Sequence, residues 1–261
     1  MDPGGRIAVV TGAGGGIGGA VVRALLDAGA ARVVAVDLKA PVGLPAGVET
    51  RSLDVTDETA TRALVADVEA SIGPIALWFA NAGVAGGGGE EADDQVWQQQ
   101  WQVNVMAHVY ASRALLPLWL ERKEGHLVTT ASMAGILTTL GDGVYAATKH
   151  AAVGFAEWMA ITYGDQGIRV SCVCPGAVDT AMLVASTDGD AEKAAAIIGG
   201  GDVLSPEAAA AQILAGTVED RFLILTHPEM HKLVVRKAED PERWIRGMRR
   251  LWARTQQLMA G

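Results

Sequence analysis

The 261-residue sequence is short of cysteine, positive charge and long apolar runs. Its two cysteines, Cys172 and Cys174, stand at i and i+2 of an apolar run that reads as a strand. Such positions share one face with Cα atoms about 6.5–7 Å apart, poorly placed for a disulfide. Two buried thiols in a reducing compartment are the expectation, and a cytoplasmic location follows by default. Lys and Arg number 21 against 30 Asp and Glu, a formal charge of −9. That balance argues against nonspecific nucleic-acid binding. No uninterrupted apolar run approaches the ~18 residues of a membrane span. Met1-Asp2-Pro3-Gly4-Gly5-Arg6 lacks the charged start and apolar stretch of a signal peptide. No linker divides the chain, so one domain over 1–261 is expected, and no metal site.

What is present is a regular alternation. Short apolar runs at 7–11, 32–36, 48–53, 75–80, 126–130, 168–174 and 222–225 read as strands. Helical patterns fall between them at 17–28, 57–70 (with Asp57 as a cap), 94–120 and 145–163. β-α-β alternation with nearly continuous Val/Ile/Ala strands predicts an α/β fold: a doubly wound parallel sheet of about seven strands with helices on both faces. The glycine-rich stretch 86–89 reads as a flexible loop. Residues 177–203, acidic and weakly periodic, would follow the sixth strand at the carboxyl edge where ligands bind, and are read as a substrate lid.

Between the first strand and first helix runs Thr11-Gly12-Ala13-Gly14-Gly15-Gly16-Ile17-Gly18. Glycines there let the backbone turn sharply and approach a pyrophosphate, while the helix start offers free N–H groups and partial positive charge. A glycine-rich turn alone is weak evidence, but this one joins the right strand to the right helix. Asp37 follows the second strand about twenty residues on, where a carboxylate can accept hydrogen bonds from ribose hydroxyls and repel a 2′-phosphate. The turn at 12–19 holds no Arg or Lys. NAD is therefore favoured over NADP; the plain alternative for Asp37 is a solvated turn residue.

Tyr145 and Lys149 are four residues apart in a helical pattern, so they share a face. A phenol titrating near ~10 is a poor base at neutral pH, and a neighbouring cation stabilises the phenolate. By itself the spacing is commonplace, and a solvated helix face would explain it. In combination with the glycine turn, Asp54-Val55, Asn81-Ala82-Gly83, Asn104, Ser132 thirteen residues before Tyr145, and Pro175-Gly176 with Val178 and Thr180, the chain resembles the short-chain dehydrogenase/reductase family over nearly its full length.

The resemblance implies a single-domain Rossmann fold and hydride transfer between a nicotinamide and an alcohol or ketone carbon. Tyr145 would be the acid/base, Ser132 would hydrogen-bond the substrate oxygen, Lys149 would lower the tyrosine pKa and bind the nicotinamide ribose, and Asn104 would hold a water linking Lys149 to solvent. The cofactor contacts implied are Gly12, Gly16, Ile17, Gly18, Asp37, Asp54, Val55, Asn81, Ala82, Gly83, Tyr145, Lys149, Pro175, Gly176, Val178 and Thr180. A homodimer or homotetramer is implied, joined through the helices carrying Asn104 and Tyr145, with Trp101, Trp119, Phe155 and Trp158 on exposed faces.

Val84, Met133, Ile136, Leu137, Met182 and Leu183 are expected to line the substrate pocket, which suits an apolar alcohol or ketone. Asp188, Asp190 and Glu192 would repel the phosphates of a coenzyme A thioester. Residues 232–254 carry eight Lys or Arg against three Asp or Glu, a local +5 that leaves the remainder near −14. Within this basic extension (232–261) Trp244, Met248, Leu251 and Trp252 fall on one helical face, read as packing on the body or a partner, with a membrane-surface helix as the alternative. The last strand is followed by Leu225-Thr226-His227-Pro228, where many family members carry a V-D-G-G-type segment. A catalytically silent NAD-binding redox sensor is the competing reading, and the intact Ser132/Tyr145/Lys149 set speaks against it.

Overall fold

The computed structural model describes residues 1–187 and 202–260. Seven strands form one parallel sheet: β1 (Ile7–Thr11), β2 (Arg32–Asp37), β3 (Val48–Ser52), β4 (Ile75–Ala80), β5 (Gly125–Thr130), β6 (Ile168–Cys174) and β7 (Leu223–Leu225). Their spatial order is β3-β2-β1-β4-β5-β6-β7. The order reverses between β1 and β4, and such a switch point opens a crevice beyond the carboxyl ends of the strands.

Val, Ile and Ala dominate the central strands because both faces are covered. On one face Ala8, Val10 and Phe79 meet Val21, Val22 and Leu25 of α1 (Gly16–Asp27) and Ala210 and Ile213 of a late helix, Pro206–Val218. On the other, Val9, Trp78 and Leu127 meet α2 (Glu58–Ser71), a long helical arm, and the helix Gly143–Tyr163. Side chains alternate between the two layers with the period-2 pleat. Asp57 caps α2 by accepting from the Ala60 N–H at 2.9 Å.

The helix expected over 94–120 is interrupted. It comprises α3 (Asp94–Trp101), a π-helical turn at Gln102–Met106 and α4 (Ala107–Arg122). At the junction the Ala107 N–H reaches back to the Gln102 carbonyl, a wider turn than the α-helical repeat. Such bulges leave no mark in hydrophobic periodicity and recur at functional sites. This one turns Asn104 fully into the interior.

A second correction concerns Trp119. It does not lie on an exposed face; it is fully buried, with Nε1 donating to the Ile75 carbonyl at 2.8 Å. Trp101 and Trp158 do remain about half exposed, at 44% and 52%. The glycine loop at 86–89 is stitched to the start of the Gly143–Tyr163 helix: the Gly143 N–H donates to the Gly88 carbonyl at 2.8 Å and the Gly86 N–H to Asp142 Oδ2 at 2.8 Å.

Between β5 and β6 lie the short helix α5 (Ala134–Leu137) and α6 (Gly143–Tyr163); after β6 come α7 (Ala181–Thr187), α8 (Pro206–Val218), α9 (His231–Glu239) and α10 (Pro241–Ala260). Of the segment read as a lid, 188–201 lies outside the described residues, and with it Asp188, Asp190 and Glu192. Its two feet are tied by a bridge between Val178 and Leu204. No helix among the described residues is long and apolar enough to cross a membrane.

Gly125 opens β5 directly beneath the Trp119 indole, and a Cβ there would overlap the ring. Gly125→Ala is expected to destabilise the fold by about 1–3 kcal/mol through overpacking. A urea melt reads this as a lower midpoint at unchanged slope, and an unchanged midpoint would refute the packing account.

Candidate active site

The carboxyl ends of the strands open into one cleft of about 1140 Å³. Its dinucleotide end is built from the β1–α1 turn. Gly12 and Gly16 adopt φ of +66° and +51°. A Cβ on Gly12 would stand 2.9 Å from the Ala82 Cα. Beyond Gly15 the space is open, with nothing within 4 Å of a Cβ there. No side chain caps α1 and its first turn carries no acidic residue, while Gly15, Gly16 and Ile17 all face the cleft. An uncapped helix start of this kind is an anion site with its donors ready. The residues present therefore fit a pyrophosphate.

Gly18 is the exception among the expected contacts. It does not line the cleft; a Cβ there would overlap the Gly12 carbonyl and come within 2.7 Å of Asn81 Nδ2. Its smallness lets α1 close against the turn, so its service to the site is packing. Asn81 Nδ2 donates to the Thr11 and Gly12 carbonyls at 3.1 and 3.3 Å, and Thr130 Oγ1 donates to Asn81 Oδ1 at 3.3 Å. The Asn81-Ala82-Gly83 segment thus ties β1, β4 and β5 together at the switch point.

Asp37 ends β2 with its carboxylate folded over the turn: Oδ2 accepts from the Gly14 N–H at 2.9 Å and Oδ1 from the Leu38 N–H at 2.7 Å. Leu38 beside it is 67% exposed. Asp54, Val55 and Thr56 form the adjoining wall, where Asp54 Oδ1 accepts from the Thr56 N–H and hydroxyl at 2.9 and 2.7 Å.

At the other end Ser132, Tyr145 and Lys149 meet. Asp142 caps α6 by accepting from the Tyr145 N–H at 3.0 Å, so the tyrosine stands in the first turn. It lines the cleft together with Ser132, just past β5, whose hydroxyl favours the ionised phenol. Lys149, one turn along, is 2% exposed; Nζ donates to the Thr130 carbonyl at 3.0 Å and lies 5.6 Å from the centroid of the Tyr145 ring. No carboxylate pairs with it among the described residues. Burial pushes its pKa down to about 8, against a weaker pull upward from Cys174 and Cys172.

Burial also governs Tyr145. It raises the phenol above its ordinary value, Ser132 opposes, and Asp142 and Cys174 add to the rise. The phenol is thus raised, where the sequence led to an expectation of lowering, because desolvation penalises the phenolate more than the Ser132 hydroxyl favours it. The two thiols are free and buried, their sulfurs 4.0 Å apart.

Asn104 does not face the cleft. From the π-turn its Nδ2 donates to the Val84 carbonyl at 2.9 Å and to Thr148 Oγ1 at 3.1 Å, while Oδ1 accepts from the Val84 N–H at 2.9 Å. A Cβ on Gly83 would stand 3.2 Å from Lys149 Nζ and 3.3 Å from Asn104 Oδ1, so the three groups abut. Pro175, Gly176, Val178 and Thr180 line the cleft beyond β6.

Sequence reasoning missed His227, although the departure after the last strand marked its place. The ring packs against Gly176, bonds Thr226 Oγ1 at 2.9 Å through Nδ1 and the Asp202 carbonyl at 2.9 Å through Nε2. It secures both feet of the segment between β6 and α8. Of the expected substrate-pocket residues, Val84, Met133, Leu137, Met182 and Leu183 line the cleft. Ile136 instead packs against the main core, and its carbonyl accepts from Lys237 Nζ. Met230, Leu233, Trp244, Met248, Leu251 and Trp252 join the lining from the C-terminal region.

A family model described as short chain dehydrogenase matches residues 6–191. The chain is 35% identical over 236 residues to the 1-deoxy-11-beta-hydroxypentalenate dehydrogenase of Streptomyces exfoliatus, spanning 86% of this chain and 84% of that protein. It is 34% identical over 199 residues to the 2,5-dichloro-2,5-cyclohexadiene-1,4-diol dehydrogenase of Sphingobium indicum, spanning 73% and 79%. A solved structure of a short chain dehydrogenase/reductase from Burkholderia phymatum in complex with NAD superposes with a TM-score of 0.80 at 28% identity, covering 93% of this chain and 96% of that one.

Proposed function

Because the chain belongs to the short-chain dehydrogenase/reductase family, we propose that it is an NAD-dependent dehydrogenase interconverting a secondary alcohol and a ketone on an apolar small molecule. The observation that carries this reading is the buried Lys149 ammonium, without a carboxylate partner among the described residues, against the ring of a tyrosine that lines the cleft with Ser132. A protein that only sensed a dinucleotide would have no need of that costly arrangement. The hydroxy and dihydroxy compounds named for the two relatives point the same way.

NAD, when bound, supplies the hydride acceptor or donor. The chain's own residues do the rest. Gly15, Gly16 and Ile17 offer N–H groups to the diphosphate, and Asp37 turns its carboxylate from the Gly14 and Leu38 amides toward ribose hydroxyls. Ser132 and Tyr145 present two polar groups to the substrate oxygen, where alkoxide charge develops. In oxidation Tyr145 takes the hydroxyl proton; in reduction it returns one. Lys149 holds its positive charge beside the phenol and binds the nicotinamide ribose, and Asn104, through Val84 and Thr148, keeps the wall behind Lys149 in place. Gly12, Asn81 and Gly83 leave room for the dinucleotide, and Pro175, Gly176, Val178 and Thr180 border its nicotinamide end.

The preference for NAD over NADP rests on Asp37 and on the exposed apolar Leu38 beside it, since a 2′-phosphate would meet a carboxylate with no cation in the turn. Half-exposed Trp101 on α3 and Trp158 on α6 support assembly as a homodimer or homotetramer through those helices. The two free thiols support a cytoplasmic setting.

Tyr145→Phe is expected to leave NAD affinity within about twofold while turnover falls by roughly 10²–10⁴-fold, the usual worth of a positioned acid/base. Calorimetric titration with NAD and the nicotinamide absorbance read the two quantities, and retained turnover would remove the tyrosine from the mechanism. Asp37→Ala should weaken NAD binding by roughly 10–100-fold, the range for hydrogen bonds to a charged group, and narrow the gap to NADP. An unaltered ratio of NAD to NADP affinity would refute the assignment of Asp37.

A further inference from the structure

The cleft exceeds the roughly 300–1,000 Å³ of ordinary ligand pockets, which leaves room for a second molecule beside a dinucleotide. The C-terminal helix α10 closes the cleft. Trp244, Met248, Leu251, Trp252 and Thr255 line it, at spacings of four, three, one and three that keep one helical face. From Trp244 to Trp252 the helix rises about 12 Å. The wall is therefore an apolar strip of that length, with a tryptophan at each end.

The strip belongs to the same chain's pocket and is fastened there. Trp244, with Leu233 and Val234 of α9, packs against the main core. Lys237 at the end of α9 donates to the carbonyl of Ile136 in α5. The Trp252 ring comes to 3.5 Å from where a Cβ would stand on Gly141, next to the Asp142 that caps α6 and so seats Tyr145. Arg243, Arg246, Arg250 and Arg254 are exposed and do not line the cleft; Arg243 and Arg250 instead border, with Arg236, a separate hollow on the other side of Trp244 and Met248.

Charge is scarce in the described lining. Asp37 and Asp54 belong to the dinucleotide end. At the reacting end Asp142 is used by the Tyr145 and Gly86 N–H groups, and Lys149 by the Thr130 carbonyl. A carboxylate or phosphate on a substrate body lying along α10 would find no cation among the described residues that line the cleft there.

We propose that α10 sets substrate selectivity, and that the substrate is an uncharged secondary alcohol or ketone whose reacting carbon sits at one end of an elongated apolar body. The proposal rests on the dehydrogenase reading for the position of the reacting carbon. Shorter alcohols leave the tryptophan strip without a partner, and a body about 12 Å long covers it.

The test uses the NAD-loaded full-length protein and measures binding and turnover separately. Calorimetry compares cyclohexanone, 2-decalone and the charged 4-oxocyclohexanecarboxylate; absorbance follows oxidation of cyclohexanol and 2-decalol. Decalone is expected to bind roughly tenfold or more tightly than cyclohexanone, given the apolar area of a second ring. The charged ketone should bind most weakly. Trp252→Ala should collapse the decalone preference to within about threefold, and Trp252→Phe should restore most of it. Met248→Ala, in the middle of the strip, provides a second reading at a smaller truncation. Equal binding of the two neutral ketones by the native protein, or a decalone preference unchanged in both Trp252→Ala and Met248→Ala, would overturn the proposal. A decalone preference without oxidation of either alcohol would uphold the selectivity of α10 and count against the dehydrogenase reading instead.

Discussion

The site depends on one buried cation. Lys149 is almost wholly removed from solvent, and its partners are a carbonyl and the face of a tyrosine ring, with no carboxylate among the described residues. An ammonium in such a place is costly, and the cost appears as a pKa drawn down to about 8. The surroundings hold it nonetheless: β5 supplies the Thr130 carbonyl, α6 fixes the tyrosine one turn away, and the π-turn sets Asn104 against Gly83 and Val84 behind it. A charge held without neutralisation can act on its neighbour, and that neighbour is a phenol whose own burial disfavours ionisation.

The two ends of the cleft solve different problems with different parts of the sheet. At β1 and β2 the need is close approach, met by glycine and by backbone N–H groups that no side chain has capped. At β5 and β6 the need is a set of polar groups at fixed positions, met by side chains on strand ends and on the first turns of α6. The Asn81-Ala82-Gly83 segment joins the two ends by hydrogen bonds to β1 and β5, so a displacement of either would be felt at the other. The C-terminal helices then close the apolar side, an addition to the sheet rather than part of it.

Strands were legible because their residues are buried on both faces and make continuous apolar runs; β1, β4 and β6 fall at the expected residues. The glycine turn and the Tyr145–Lys149 spacing were legible because each is a local pattern with a single geometric meaning. The π-turn was not, since one widened turn barely shifts the apolar period. The burial of Trp119 is not legible in the sequence, because a helix with apolar residues on several faces does not say which face is covered. Gly18 matched a motif whose glycines serve two purposes, and only the contact with the Gly12 carbonyl separates packing from cofactor contact. The apolar stripe of α10 was visible, but its target was not, because amphipathicity names a buried face without naming what covers it.

The proposed dehydrogenase chemistry requires the Lys149 ammonium to assist the phenolate of Tyr145. In alcohol oxidation the tyrosine must lose its proton before it can accept the substrate's, so kcat/KM should rise as pH climbs through the tyrosine pKa and level off above it. The most direct measurement is that profile for the native enzyme and for Lys149→Met, with 2-decalol as substrate and NAD saturating. Removal of the positive charge should move the rising limb upward by at least about one pH unit, equivalent to roughly 1.4 kcal/mol of lost phenolate stabilisation. A limb at the same pH in both proteins would contradict the account.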